Sequence, residues 1–456
     1  MTRQSPLRLQ VSGHRFLLRR MEHALVRGDV RMLDDPLRAQ SLSLSAGVVL
    51  TAIVVAVCVV LAFVRPPGVL GSAPIVVVRE SGALYVRVGD VVHPVLNLAS
   101  ARLVASMPAN PEAVSAAAID NAKRGPLIGI PGAPAEIAPP LRADESGWAV
   151  CDDETTTTVM GGSLPGGGRA SAVLVTPRGE SAASTYLLYD GWRAKVDLRN
   201  RAVVRALRLD RVTPQPVSRA LLDATPEAPA IAAPHIPDAG SPGPLHGFPV
   251  GSVVRIARAD ADEYYVVLGA GVQRVGQVAA DLIRFTDSLD DRDIETVPPD
   301  VIGALPIVDS LRVSSFPDSG GVSQAGSVCA RWQLTRDGAK TSVVANDPLS
   351  ANGGSVTLAQ SDGDGPNIDA FSIPRGRSAY VRSIGIDGKG TGAGALYFVS
   401  QAGVVFGLRS EDTAKHLGLP DTAVPAPWPV LMRLPRGPEL STQAASLVRD
   451  TVAGPS

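Results

Sequence analysis

Lysine, cysteine and aromatic residues are the scarce parts of this chain. Only five lysines (Lys123, Lys195, Lys340, Lys389, Lys415) stand among 43 basic residues, so arginine carries nearly all the positive charge. Against them are 44 acidic residues, a formal net charge of −1, and so balanced a chain has no field to hold nucleic acid. Six histidines (His14, His23, His93, His235, His246, His416) lie scattered, with no HExxH pattern and no cysteine–histidine cluster, which removes zinc. A phosphate loop of the GxxxxGK type is missing as well. The nearest stretches are GGSLPGGGRAS (161–171), with Arg169 and no lysine, and DGKGTGAG (387–394), with Gly390 where Ser or Thr is needed. Both read as turn-forming loops. SDGDGPNID (361–369) offers Asp362, Asp364, Asn367 and Asp369, but Pro366 takes a ligand position and no Glu closes the loop, so a solvated turn is expected rather than a calcium site. The acidic DSLDDRDIE (287–295) reads as a solvated face, and no GxSxG elbow occurs. No catalytic constellation and no cofactor are expected.

What is abundant points elsewhere. With 45 Gly and 38 Pro but 19% charged and 4% aromatic residues, the 456-residue chain suits a loop-rich β protein of several domains better than one enzyme core. AGVVLTAIVVAVCVVLAFV (46–64) carries no charge, and its uncharged flank reaches back to Ser41. At about 1.5 Å per residue it covers roughly 28 Å, close to a bilayer's hydrocarbon core. Arg65-Pro66-Pro67 ends it, and the segment before it is too long for a cleaved leader. Cys58 lies inside this run and is expected to face lipid or a neighbouring helix. The first 40 residues hold eight arginines (3, 8, 15, 19, 20, 27, 31, 38) against four acids, whereas none follows Arg65 until Arg79. The positive-inside rule therefore predicts a cytoplasmic N-terminus with residues 66–456 outside. Within residues 15–40, Phe16, Leu17, Met21, Leu25 and Val26 recur at helical spacing between arginines. This fits a helix docking on a cytoplasmic partner through Arg15, Arg19, Arg20, Arg27, Arg31 and Arg38, and equally a basic helix resting on lipid headgroups.

Beyond the span, a hairpin followed by a helix start appears four times. The copies are LYVRV, Gly89-Asp90, VVHPVL, capped by Asn97; TYLLY, Asp190-Gly191, WRAKV, capped by Asp197; EYYVVLG, Ala270-Gly271, VQRVG; and ALYFVSQ, Ala402-Gly403, VVFGL, capped by Ser410. Each has a tyrosine near the strand start (Tyr85, Tyr186, Tyr265, Tyr397), of which Tyr85 is expected to pack rather than bind, and a glycine for the positive φ of a tight turn. An apolar strand precedes three of them (IVVVRE, SVVRIA, AYVRSIG), so the unit reads as β-β-β-α. Inserts separate copies one from two and three from four, and a Pro-rich stretch (225–249) separates two from three. Cys151 sits in one insert and Cys329 in the other. They could bridge the inserts into one central module if the region is outside the cytoplasm, or remain two buried thiols. PRGxSA occurs at 177–182 and 374–379 in different register against the hairpins, a coincidence on this reading.

GHRFLLRRMEHALVRGDVRMLDDPLRAQ (13–40), one span, and four repeats thereafter resemble EccB, the single-pass membrane component of actinobacterial type VII (ESX) secretion systems. GSPGPLHGFPVGSVVR (240–255) and NLASARL (97–103) are also similar to that family. The resemblance implies an α+β chain: a transmembrane helix, then an elongated exported region of repeats around a β-rich central domain linked by Cys151–Cys329. It further implies a core subunit of an inner-membrane complex, with the motor ATPase EccC, EccD, EccE and the mycosin protease as partners, and homo-oligomers. Family members are sometimes labelled ATPases, a label this sequence does not support with a phosphate loop. The predicted boundaries are 1–41 cytoplasmic, 42–65 span, 66–135 repeat one, 136–168 central domain, 169–224 repeat two, 225–249 linker, 250–300 repeat three, 301–373 central domain, 374–430 repeat four and 431–456 tail. A cell-wall-binding periplasmic module is the alternative from another class.

Overall fold

The computed structural model describes residues 6–28, 36–64, 70–164, 172–179, 184–259, 261–286, 294–336, 338–346, 354–389 and 393–450. Two compact units divide it: residues up to 71 with 115–121, and the remainder. The first holds α1 (Pro6–Arg27) and α2 (Pro36–Val64), each opening on a proline, whose fixed φ and missing N–H suit the first helical position. Within α2, Ser41–Leu61 has a mean hydropathy of 2.9 and is long and apolar enough to cross a membrane. Its polar side chains return to the preceding turn, Thr51 Oγ1 donating to the Gly47 carbonyl at 2.8 Å and Ser45 Oγ to that of Leu42 at 3.0 Å.

Among the described residues, the second unit is built on five mixed sheets. The first contains β1 (Ile75–Val78), β2 (Leu84–Val88), β3 (Val91–Pro94), then α3 (Leu98–Ala105), β4 (Glu112–Val114), α4 (Ala116–Asp120, counted with the first unit) and β5 (Lys123–Arg124), in the order β4-β1-β2-β3-β5. Next come β6 (Gly147–Asp152) and β7 (Thr157–Gly162), which belong to a central sheet completed later. The second small sheet has β8 (Val173–Pro177), β9 (Thr185–Tyr189), β10 (Trp192–Val196), α5 (Arg201–Ala206), β11 (Gln215–Val217) and α6 (Arg219–Asp223). The third has β12 (Val253–Ile256), β13 (Glu263–Leu268), β14 (Gly271–Val275), α7 (Gln277–Thr286), β15 (Glu295–Thr296) and α8 (Pro299–Gly303). Then β16 (Val328–Thr335), β17 (Gly338–Ala345), β18 (Val356–Thr357) and β19 (Ala370–Ser372) complete the central sheet in the order β17-β16-β6-β7-β19-β18. The last small sheet has β20 (Ala379–Ile384), β21 (Leu396–Val399), β22 (Val405–Leu408), α9 (Glu411–Leu417), β23 (Val424–Pro427) and α10 (Trp428–Leu431), and α11 (Thr442–Ala445) follows.

All four small sheets share one wiring. Three strands run as an antiparallel meander, a helix crosses over, and a short strand returns parallel to the first. A later stretch then adds parallel to the third strand: Ile128 beside Val95, Glu227 and Ile231 beside Arg193 and Val196, Ile307 beside Val272, Arg436 and Leu440 beside Val405 and Leu408. Local chemistry explains the ends. Asn97 accepts from the Ser100 N–H at 2.9 Å and Ser410 from that of Thr413 at 3.2 Å, closing the starts of α3 and α9. Gly418, with φ of 84°, ends α9. Two local expectations are corrected. The cap of α5 is Asn200, not Asp197, whose carboxylate accepts from the Arg199 N–H at 2.9 Å in the preceding turn. The third hairpin turns on Gly269-Ala270, and Gly271 already pairs with Leu268.

Both faces of the second, third and fourth small sheets are packed. In the second, Leu174, Leu187 and Ala194 meet Val203 of α5 and Leu282 of α7, while Val175, Leu188 and Leu221 of α6 turn toward the central sheet. In the fourth, Phe398 and Leu417 pack with Ala99 and Leu103 of α3, and Val381, Val399 and Leu431 face the central sheet. Sheet one thus packs on sheet four, sheet three on sheet two, and two and four share a core with Trp148 and Trp332. Each buried Leu or Val contributes about 1.5–3 kcal/mol, so these shared cores hold the sheets together. Residues 448–449 close back on the stretch that flanks sheet one: Arg449 N–H donates to the Leu127 carbonyl at 2.8 Å beside the Ile128 and Val448 pairing.

Candidate assembly site on the disulfide-linked sheet

β6 and β16 come from chain segments far apart, yet they lie side by side with Cys151 directly opposite Cys329. The two are joined as a disulfide, with Cα atoms 4.0 Å apart and a separation of 178 positions along the chain. Cys151 is 2% exposed and Cys329 fully buried, packed with Ala149 and Met160 on one face of the sheet. Trp148 and Trp332, also paired across the two strands, fill the opposite face. Trp332 Nε1 donates to the Ile386 carbonyl at 3.0 Å, tying the central sheet to the loop after β20.

Hairpin turns of sheets two and four press on this sheet. A Cβ built on Gly191 (φ 83°) would stand 2.1 Å from the Thr341 carbonyl oxygen of β17, and one on Gly403 (φ 78°) 2.7 Å from Phe371 Cβ of β19. Around Gly89, the corresponding turn glycine of sheet one, there is open space. Sheets two and four also meet each other through charge. Asp223 at the end of α6 pairs with Arg433 and with Arg193 at 3.6 Å, and Arg193 holds Glu227 at 3.1 Å. Ahead of β6, residues 138–141 lie along the start of β20. Ser378 Oγ donates to the Ala138 carbonyl at 2.6 Å, and Arg377 reaches the Pro140 carbonyl at 2.9 Å and Glu145 at 2.6 Å.

One buried charge joins α6 to the central sheet. The Asp152 carboxylate, next to Cys151, accepts from both the backbone N–H and the hydroxyl of Ser218, and Ser218 Oγ in turn caps α6 by accepting from the Leu221 N–H at 3.1 Å. Burial pushes the Asp152 pKa up to about 6, against the Ser218 hydrogen bonds and the Arg178 charge, which favour the carboxylate. Unfolded, this group titrates near ~4. Between those values the folded chain holds a proton that the unfolded chain releases, so the stability it contributes is full below ~pH 4 and lost as pH rises through about 6. Asp152→Asn is expected to remove that component. The wild-type-minus-variant unfolding free energy should change by about 3 kcal/mol between about pH 4 and pH 7. A flat difference in denaturant titrations at the two pH values would contradict it.

The other sequence-predicted positions fall as follows. Tyr85, Tyr186, Tyr265 and Tyr397 are all half-buried near the start of the second strand of their sheets. Arg193 lies over the Tyr186 ring at 5.8 Å, and Tyr397 stacks on Trp428 at 5.5 Å. Arg15, Arg19 and Arg20 are exposed on α1; the side chains of Arg27 and Arg38, and all of Arg31, lie outside the described residues, as do 165–171, 287–293 and 390–392. In 361–369 the carboxylates of Asp362 and Asp369 are taken by N–H and O–H donors. Asp369 accepts from Thr157 at 2.7 Å, Gly363 at 2.8 Å, Asp362 at 2.9 Å and the Ser361 hydroxyl at 2.8 Å, and Asp362 from the Asn367 side chain at 2.9 Å. Burial opposes the Asp369 charge, yet these donors outweigh it and hold its pKa below the usual range. Among the described residues no group of three or more His, Cys, Asp or Glu is placed to hold a metal ion. Sequence reasoning missed Asp152 and Ser218; an aspartate beside a cysteine was the only local signal.

Comparison with known proteins agrees with this architecture. Residues 3–454 match the family model "Type VII secretion system ESX-1, transport TM domain B". EccB3 of Mycolicibacterium smegmatis, named as an ESX-3 secretion system ATPase, is 35% identical over 98% of this chain and 91% of its own length. EccB2 of Mycobacterium tuberculosis, named for ESX-2, is 36% identical over 97% and 95%. A chain of the intact ESX-5 inner membrane complex superposes with a TM-score of 0.71 at 32% identity, covering 100% of this chain and 98% of that one. The EccB3 dimer from the ESX-3 core complex gives a TM-score of 0.69 at 33% identity, covering 82% and 100%. A family model spanning nearly the whole sequence, with relatives this similar end to end, places the chain in the EccB family of type VII secretion systems.

Proposed function

We propose that this chain is a structural and assembly subunit of an ESX inner-membrane complex. The observation that carries the reading is its end-to-end likeness to a subunit of such a complex. The interlocked sheets support it: their contacts are spent on holding one another, and the sequence has no phosphate loop despite the ATPase names of its relatives. Energy for transport is assigned to EccC, with EccD, EccE and the mycosin protease as further partners, and a second copy of this chain as another, as in the ESX-3 dimer. Four copies of one β-β-β-α-β unit surround the disulfide-linked sheet on this reading. α2 anchors the chain in the inner membrane, the arginine-rich N-terminus is cytoplasmic, and residues 66–456 are periplasmic.

The arginine-rich segment at 15–40 is assigned a docking role on cytoplasmic or membrane neighbours. Deleting residues 13–40 while leaving Ser41–Leu61 intact is expected to reduce the yield of the purified membrane complex severalfold at equal membrane content of this chain. Unchanged yield would remove the docking role. Nucleotide binding by the purified full-length chain would speak against the non-enzymatic reading.

A further inference from the structure

We propose that α1 lies on an anionic lipid surface, with one apolar stripe in the bilayer interface and Arg15, Arg19 and Arg20 among the headgroups. This rests on the reading of α2 as a membrane span. Val11, Leu18 and Leu25 recur every seven residues, and Leu17 and Met21 lie on the same side of the helix, with Gln10 and His14 between them. All five are exposed, at 49%, 42%, 85%, 58% and 59%. Phe16 and Val26 fall outside the stripe. The helix carries five arginines (8, 15, 19, 20, 27) and a single acid, Glu22, in 22 residues. Its mean hydropathy is low, unlike that of α2, which is the composition of a helix that lies in an interface rather than spanning one.

Covalent reach decides between lipid and a distant partner. Residues 28–40 separate α1 from the apolar stretch of α2, a length of about 45 Å even if fully extended. The helix therefore stays beside the surface into which α2 inserts. Exposed apolar side chains held there meet lipid at no cost of encounter, and each arginine near an anionic surface adds to the binding. Because the N-terminal segment is the positive side of the span, the headgroups it meets are those of the cytoplasmic leaflet.

The test uses the full chain in lipid discs of phosphatidylcholine alone or with about a third phosphatidylglycerol. Cys58→Ser removes the thiol in the span, and single cysteines at Leu18, Met21 and the polar-side Ser12 carry a nitroxide. In anionic discs the Leu18 and Met21 labels are expected to collide preferentially with oxygen, and the Ser12 label with an aqueous nickel chelate. Immersion should fall roughly fivefold for each of Arg15, Arg19 and Arg20 changed to Gln. Water-exposed labels at Leu18 and Met21 in anionic discs would overturn the inference and leave α1 to a protein partner. Equal immersion in both disc types would overturn the headgroup recognition. Extraction of the chain by alkaline carbonate would instead fail the span itself, whereas a retained chain with labels in water fails only the lipid docking.

Discussion

Replacing Cys151 and Cys329 together with alanine is expected to cost about 5 kcal/mol of unfolding free energy, the effect of reopening a long covalent loop. The bridge joins positions 178 apart, a span that takes in sheets two and three entirely and β7 of the central sheet. Alanine is the suitable replacement because both sulfurs are buried among apolar neighbours, where serine would add an unpaired hydroxyl. Denaturant unfolding of oxidised wild type and variant measures the difference. Under native oxidising conditions only Cys58 is expected to take a thiol reagent. Native labelling at Cys151 or Cys329, or an unfolding midpoint that reduction leaves in place, would contradict the account.

Turn glycines supply the second large effect. Gly89, Gly191 and Gly403 occupy similar hairpins and all have positive φ. Adding a methyl at Gly89 meets nothing within 4 Å, so Gly89→Ala should cost only the backbone strain, about 1 kcal/mol. Gly191→Ala places its methyl 2.1 Å from the Thr341 carbonyl, a rigid backbone atom of the central sheet. Strain and overpacking together are expected to cost roughly 3–5 kcal/mol and to pry sheet two from β17. Gly403→Ala, against Phe371, should behave alike. Comparing the three variants by thermal unfolding decides the point, since equal losses at Gly89 and Gly191 would show that the close approach does not matter.

That contrast also shows what a single sequence reveals and what it hides. The three glycines read alike because a hairpin turn is a local signal, whereas the pressure on Gly191 comes from Thr341, 150 residues away. Hairpins and caps such as Asn97 and Ser410 were legible for the same local reason. The returning strands were not. β4, β11, β15 and β23 are two to four residues long, too short for alternation, and their parallel pairing depends on partners across a helix. Composition alone marked the apolar stretch of α2, and the cysteine pair hinted at the central sheet. The strand register that sets Trp148 against Trp332 had no signal in the residues. Asp197 misled because aspartate caps turns as readily as helices, and here it closes the turn before Asn200.

Membership of a secretion complex is the central claim, and purification tests it most directly. The full-length chain, tagged and solubilised from its own membranes in mild detergent, is expected to migrate as a large assembly. Further copies of itself and the motor ATPase EccC should co-purify with it. A chain that elutes alone, with no other secretion subunit attached, would contradict the account.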